Sequence, residues 1–278
     1  MFLHACPGVR VPTQWTLTLT PPPPTSIDPR HLHALTCHLL ETPGSEHGAA
    51  LKPFTTATSG TGLVLSWLDE PTEPDLPTRL GSPARLGRHL IHLELGDRHS
   101  EPYVSLASSP PAIKAQVEFR TPTYMNHSGR QLPLPDPELL LSGLARRWSA
   151  FSPEELSGDA VTEALGSVHL ARHDISTRPV GSGSSQKVGF VGSATFGLPR
   201  STSIGAQRAF AALWSFAVFA GVGAQSTHGL GHVRVRLQSP TVTASRSPVA
   251  RPATVREHSS IPNSTTSSGR ARPWNGTR

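Results

Sequence analysis

Between Thr13 and Thr20 the residues alternate in character, with Trp15, Leu17 and Leu19 on one side and Thr16, Thr18 and Thr20 on the other. A period of two predicts a strand with one buried face. After the turn-forming PPPPTS, Asp28 and Pro29 offer an N-cap and a first helical residue, and Leu32, Leu35 and Leu39 then recur at helical spacing. The pattern predicts a helix over about 29–41. KPFTTATSG and GLVLSWLDE read as two more strands, and RHLIHLEL opens another beyond a stretch of no clear period. The first unit is therefore β, α, β, β, an ill-defined stretch, then β.

Ser108-Ser109-Pro110-Pro111 marks a boundary, because two prolines cannot sit inside a sheet ladder. AIKAQVEFRT then alternates as a strand, and ELLLSGLARRW reads as an amphipathic helix starting near Pro137. A further helix is predicted over 153–165, strands over 167–175 and 187–197, and a long apolar helix over 203–220. HVRVRL closes the series, with Val233, Val235 and Leu237 on one face and His232, Arg234 and Arg236 on the other. Both halves resemble a β-α-β-β-α-β arrangement, so the expected fold is α+β, two tandem ferredoxin-like (RRM-like) domains over 1–110 and 111–238. Residues 239–278 are mostly Ser, Thr, Pro and Arg, too poor in large apolar groups to offset the entropy of ordering, and are expected to be a disordered basic tail.

Composition changes this picture in two respects. Pro (28) and Gly (24) make up nearly a fifth of the 278 residues, which favours turns and short elements. The net charge of +6 lies mostly in the tail, for residues 1–238 hold 19 basic and 18 acidic groups. Residues 186–238 are the exception, carrying Lys187, Arg200, Arg208, Arg234 and Arg236 without an acidic residue, and such a segment suits an anionic partner. Two cysteines, Cys6 and Cys37, make no disulfide framework and fit a reducing compartment. The N-terminus lacks the pattern of an export signal, and the longest apolar run, Ala209 to Val222, is too short to span a bilayer, so a cytoplasmic protein is expected.

The most informative motif is Gly221-Val-Gly-Ala-Gln-Ser-Thr-His-Gly-Leu-Gly231, set between the apolar helix and the basic strand. Glycines there permit positive φ and a close approach of backbone N–H groups to phosphate oxygens. The loop follows a helix and precedes a strand, the reverse of a dinucleotide-binding turn. Alone, such a turn answers to chain geometry as readily as to ligand binding. In context it resembles the C-terminal glycine-rich loop of the CRISPR repeat-processing endoribonucleases, and the preceding GFVGSATFGLP and AQRAFAALWSFAVFAGVG are similar to that family as well. A second likeness runs from Val117 to Trp148, a strand, Thr-Pro-Thr, Leu-Pro-x-Pro and a helix ending in Arg-Trp. With a looser likeness in the first unit, the resemblance covers nearly all of the chain before the tail.

The resemblance implies a metal-independent endoribonuclease that cleaves CRISPR precursor RNA within its repeats and needs no cofactor. In that family a His in the loop after the first helix and a Lys just before a Phe-Thr run lie in the catalytic centre, a pattern met here by His47 and Lys52. Several relatives add a Tyr at the start of the first helix. The only tyrosines here are Tyr103 and Tyr124, which leaves His31 and His33 as candidates for that part. A ribose 2′-hydroxyl can attack the neighbouring phosphate if the backbone is held in line, and the implied products end in a 2′,3′-cyclic phosphate and a 5′-hydroxyl. An imidazole would move the proton, and the Lys52 ammonium would stabilise charge on the pentacovalent phosphorus centre. The expected RNA-binding residues are Gly221, Gly223, Gln225, Ser226, His228, Gly229, Gly231, Arg208, Arg234 and Arg236.

His31, His33 and His38 or His47 match no established zinc spacing, and no Cys pair or carboxylate completes a site. Trp148 and Trp214 sit on apolar helical runs, and core packing accounts for them better than base stacking. A non-catalytic guide-RNA-binding subunit of a CRISPR effector is the alternative function. An acylphosphatase-like domain would need an anion loop near the N-terminus, and none is found. The expected partners are repeat RNA and other CRISPR effector subunits, with no membrane, the chain acting as a monomer or a homodimer.

Overall fold

The Asp28 carboxylate accepts the Arg30 N–H at 2.9 Å and Pro29 occupies the first turn, so the helix begins where its orphan donors are met. This is α1 (Pro29–Leu40), whose Leu32, Leu35 and Leu39 are buried against the first sheet. The computed structural model describes residues 10–22, 27–41, 49–60, 62–181 and 186–240. The remainder of the chain, including most of the tail expected to be disordered, lies outside the described residues.

The first sheet is antiparallel, in the order β2 (Phe54–Ser59), β3 (Gly62–Trp67), β1 (Thr13–Thr20), β5 (His89–Ser100) and β4 (Ala84–Leu86). Trp15, Leu17 and Leu19 of β1 point into the core with Leu63, Leu65 and Trp67 of β3, as the period-two pattern requires. The stretch without a clear period holds a 3₁₀ turn, the single-turn α2 (Leu76–Arg79) and β4. Arg79 of α2 donates to the carbonyls of Leu39 and Glu41 at 3.0 and 2.7 Å, closing the C-terminus of α1.

After α3 (Tyr103–Ala107), residues 108–113 lead to β6 (Lys114–Thr123) and a short hairpin, β7 (Met125–His127) and β8 (Arg130–Leu132). Two helices follow, α4 (Pro137–Phe151) and α5 (Gly158–Ser167). The latter starts five residues later than the sequence pattern suggests because Ser157, not the segment at Pro153, supplies the cap. Then come β9 (His169–Val180), β10 (Lys187–Gly197), α6 (Ile204–Ala220) and β11 (Val233–Gln238). The second sheet runs β11, β6, β10, β9, and the first contains the equivalent order β5, β1, β3, β2. Both are ferredoxin-like, and the fold is α+β as expected.

Trp148 and Trp214 belong to the second core, at 2% and 0% exposure. Helix α6 is buried around nearly its whole circumference, because its far end also meets the first sheet. There Gln14 Nε2 donates to the Val218 carbonyl at 3.0 Å, Thr55 Oγ1 donates to that of Phe219 at 2.9 Å, and the His99 ring stacks on Phe219. Side chains of the first half thus meet the last carbonyls of a helix in the second.

Candidate active site at the junction of helix α1 and the glycine-rich loop

Helical spacing of four places His33 and Cys37 on one stripe of α1, Glu41 follows as the residue that caps the helix C-terminus, and α1 meets the start of β2 and the loop after α6. Gly221, at φ +62°, ends α6 by donating to Ala217, and Val222 donates to the Gly231 carbonyl at 2.8 Å to close the base of the loop. Gly223 and Gly231, both at φ +72°, have no room for a side chain: an added Cβ would lie 2.6 Å from the Tyr124 carbonyl oxygen in the first case and run into that of Val222 in the second. Gln225 takes the left-handed conformation at φ +58°, and its carbonyl accepts from His228 and Leu230. This starts a 3₁₀ turn over Ser226–His228, whose leading N–H groups at Gln225, Ser226 and Thr227 have no acceptor among the described residues. Such a row of free donors suits an anion.

The turn is pinned to α1 by His33. Its Nδ1 lies 3.0 Å from the Thr227 carbonyl oxygen, which only accepts, so Nδ1 carries the proton and Nε2 faces Cys37 Sγ at 3.5 Å. The His33 and His228 rings stack at 3.9 Å between centroids and within 6° of parallel, and Thr227 Oγ1 lies 2.9 Å from His228 Nδ1. Burial first, then the neighbouring His33, holds His228 down at about 4. His232 at the loop's exit is also held at about 4, by burial first and then by Arg120 and Arg234.

At the C-terminal end of α1 Lys52 Nζ meets Glu41 Oε1 at 2.7 Å, with both side chains largely buried. Arg147 of α4 enters from the second half: Nη1 donates to Ser226 Oγ at 2.6 Å, and Nη2 lies 3.5 Å from the carbonyl oxygens of Lys52 and Phe54. Burial, the dominant cause, lowers Arg147 to about 10. Beside the loop a cavity of about 460 Å³ is lined by Leu32, Thr58, Pro122, Val180 and His228 among others.

Of the residues singled out from sequence, the structure brings together Lys52, His33, Ser226 and His228, with Gly221, Gly223, Gln225, Gly229 and Gly231 forming the loop around them. His47 lies outside the described residues. His31 points away from the loop, its Nδ1 against Gly87 in the turn before β5. Arg208 is exposed on α6, and Arg234 and Arg236 stand on the solvent face of the second sheet in a groove shared with Arg172 and His173. Two residues of the site were not foreseen, Glu41 and Arg147. Glu41 follows the spacing of His33 and Cys37, and Arg147 falls three residues after Leu144 and seven after Leu140, on the buried stripe of α4.

The two neutral histidines carry a pH dependence with a definite sign. Their folded values lie below the ordinary 6.5, so between about pH 6.5 and 4 the unfolded chain binds more protons than the folded one. Their contribution is intact above that window and is lost as the pH falls through it. Thermal unfolding followed by calorimetry is expected to show the melting temperature dropping from pH 6.5 to 4, and His228→Asn and His232→Gln are each expected to flatten that slope.

Two ferredoxin-like units, the second carrying before its last strand a glycine-rich loop seated on the first helix of the first, define the tandem ferredoxin-like class seen in solved Cas6 structures. The model of the CRISPR-associated endoribonuclease Cas6 family matches residues 117–233 of this chain. The CRISPR-associated endoribonuclease Cas6 of Mycobacterium tuberculosis, strain H37Rv, is 35% identical over 132 residues. That alignment takes in 47% of this chain and 41% of the relative, so the match spans about two fifths of the curated relative's length. Among solved structures, a Cas6 product complex aligns with a TM-score of 0.70 and 25% identity, covering 81% of this chain and 99% of that one. Thermus thermophilus Cas6 aligns with a TM-score of 0.61 and 25% identity, covering 82% and 98%.

Proposed function

We propose that this chain is a metal-independent endoribonuclease that cleaves CRISPR precursor RNA within its repeats to release guide RNAs. The observation that carries the reading is the docking of the glycine-rich loop, whose N–H groups at 225–227 have no acceptor among the described residues, against the segment that bears Lys52. The similarity to a Cas6 solved with its product supports it. We divide the chain accordingly, with residues 1–110 bearing the catalytic side chains and 111–238 the phosphate-binding loop. The RNA is taken up in the cytoplasm, and other CRISPR effector subunits are its expected partners.

In this reading the 2′-oxygen attacks the adjacent phosphorus, the O2′–P bond forms and the P–O5′ bond breaks, leaving a 2′,3′-cyclic phosphate and a 5′-hydroxyl. Loop amides and the Lys52 ammonium offset the charge that builds on the non-bridging oxygens. His33 donates its Nδ1 proton to the Thr227 carbonyl and so holds the loop on α1, which leaves Nε2 unprotonated beside Cys37; we assign proton transfer to His47, with His33 Nε2 the second candidate.

The test uses the purified protein and repeat RNA from the same genome, in excess EDTA. Cleavage at one site by the wild type, lost in His47→Ala, is the expected result. Tight binding without cleavage would move the assignment to a non-catalytic guide-RNA-binding subunit. Cleavage that survives His47→Ala but not His33→Ala would shift proton transfer to His33.

A further inference from the structure

Arg147 carries a charge into a largely buried position where, among the described residues, no carboxylate meets it. Its Nε is shut off from solvent and has no acceptor among the described residues. An arrangement of this kind costs stability, and a neutral side chain packed in its place would avoid the cost. What the guanidinium does instead is bridge two segments of chain that are far apart in sequence: Ser226 in the 3₁₀ turn of the glycine-rich loop, and the carbonyls of Lys52 and Phe54 where β2 begins.

Two of these three acceptors are main-chain atoms, so Arg147 fixes where the backbone runs rather than where a side chain points. Lys52 is consequently held at both ends, at its carbonyl by Arg147 and at its ammonium by Glu41. The donor to Ser226 fixes the turn whose free amides lie at 225–227. We propose that Arg147 is a positioning residue that sets the separation between the phosphate-binding turn and the Lys52 ammonium, so that one phosphodiester meets both. Its planar fork reaches two elements at once, and a lysine ammonium in its place cannot keep both sets of contacts. The inference rests on the endoribonuclease reading for its catalytic consequence, but not for its structural one.

Arg147→Lys, Arg147→Gln and, as a control, Leu144→Ala in the core of the same helix separate positioning from stability. Hydrogen exchange on the free protein is expected to show residues 52–54 and 225–229 losing protection together in Arg147→Lys, while Leu144→Ala loosens the helix packing without singling out these two segments. Single-turnover cleavage well below the melting temperature is expected to fall about 100-fold in Arg147→Lys, as a misplacement on the order of an ångström would cause. RNA affinity should change by no more than about 3-fold, the pattern of an interaction that matters in the transition state. Ser226→Ala added to Arg147→Lys should cost little more than Arg147→Lys alone, since the link it removes is already broken there. The inference is overturned if Arg147→Lys leaves exchange in both segments unchanged, or if it raises exchange across the fold as a general loss of stability would. A wild type that does not cut repeat RNA would overturn the endoribonuclease reading, and the exchange measurements would still decide the role of Arg147.

Discussion

Lys52→Ala is expected to slow single-turnover cleavage of repeat RNA by roughly 100-fold or more, the usual effect of removing a group that stabilises transition-state charge. Binding of the RNA should weaken much less, since under the proposed reading many contacts hold the substrate and the Lys52 ammonium acts only on the reacting phosphate. The substitution has a second effect that must be separated from the first. Lys52 and Glu41 are 11% and 17% exposed, so deleting the cation leaves a carboxylate mostly out of water and without this partner. For a fully buried pair that costs about 3–5 kcal/mol, and less is expected here because both groups retain some access to solvent. Adding Glu41→Gln to Lys52→Ala should restore much of the lost stability in chemical denaturation and none of the lost rate. A double variant that regains activity would show that Lys52 serves the fold and not the chemistry.

Gly231→Ala is expected to be among the most damaging single changes in the loop, destabilising the protein by about 3 kcal/mol or more and abolishing specific RNA binding. Left-handed backbone costs a non-glycine residue about 1–2 kcal/mol. On top of this the new Cβ would meet the carbonyl oxygen of Val222, a backbone atom in a closed hydrogen-bonded ring that has nowhere to go. Gly229→Ala makes the contrast. Its φ of +93° is also positive, but its Cβ would meet Leu32 Cδ2, the far end of a side chain that can turn aside. Denaturant unfolding of the two variants should therefore rank Gly231→Ala well below Gly229→Ala. Equal stabilities would mean that the base of the loop opens more readily than its geometry implies.

How far the sequence discloses this protein depends on whether a signal is local. The alternation of Trp15, Leu17 and Leu19, the Asp28-Pro29 start of α1 and the Pro137 start of α4 are local, and the elements lie where they point. The β7–β8 hairpin escaped because its arms are three residues long, too short to show a period, although Ser128 and Gly129 at φ +49° and +73° are the sort of pair a tight hairpin turn needs. The site is legible only in part for a different reason. His33 and Cys37 plainly share a face of α1, but what His33 meets is a loop nearly two hundred residues further on, and no local pattern announces that meeting. The likeness of the loop and of the Val117–Trp148 segment to a known family was what singled out Lys52. Arg147 stood inside that second likeness, next to the tryptophan quoted for it, and its place on the apolar stripe of α4 separates it from its exposed neighbour Arg146.

The far end of α6 has a consequence for how this protein can be taken apart. Gln14, Thr55 and His99 cap and cover Val218 and Phe219, so a fragment lacking the first hundred residues would display bare helix carbonyls and an uncovered aromatic ring. The two repeats resemble each other, yet the cooperative folding unit includes both, and a melting curve should show one transition. A chimaera that borrows either half from a relative must bring the matching residues of this seam along with it, or it will inherit a second half that cannot close.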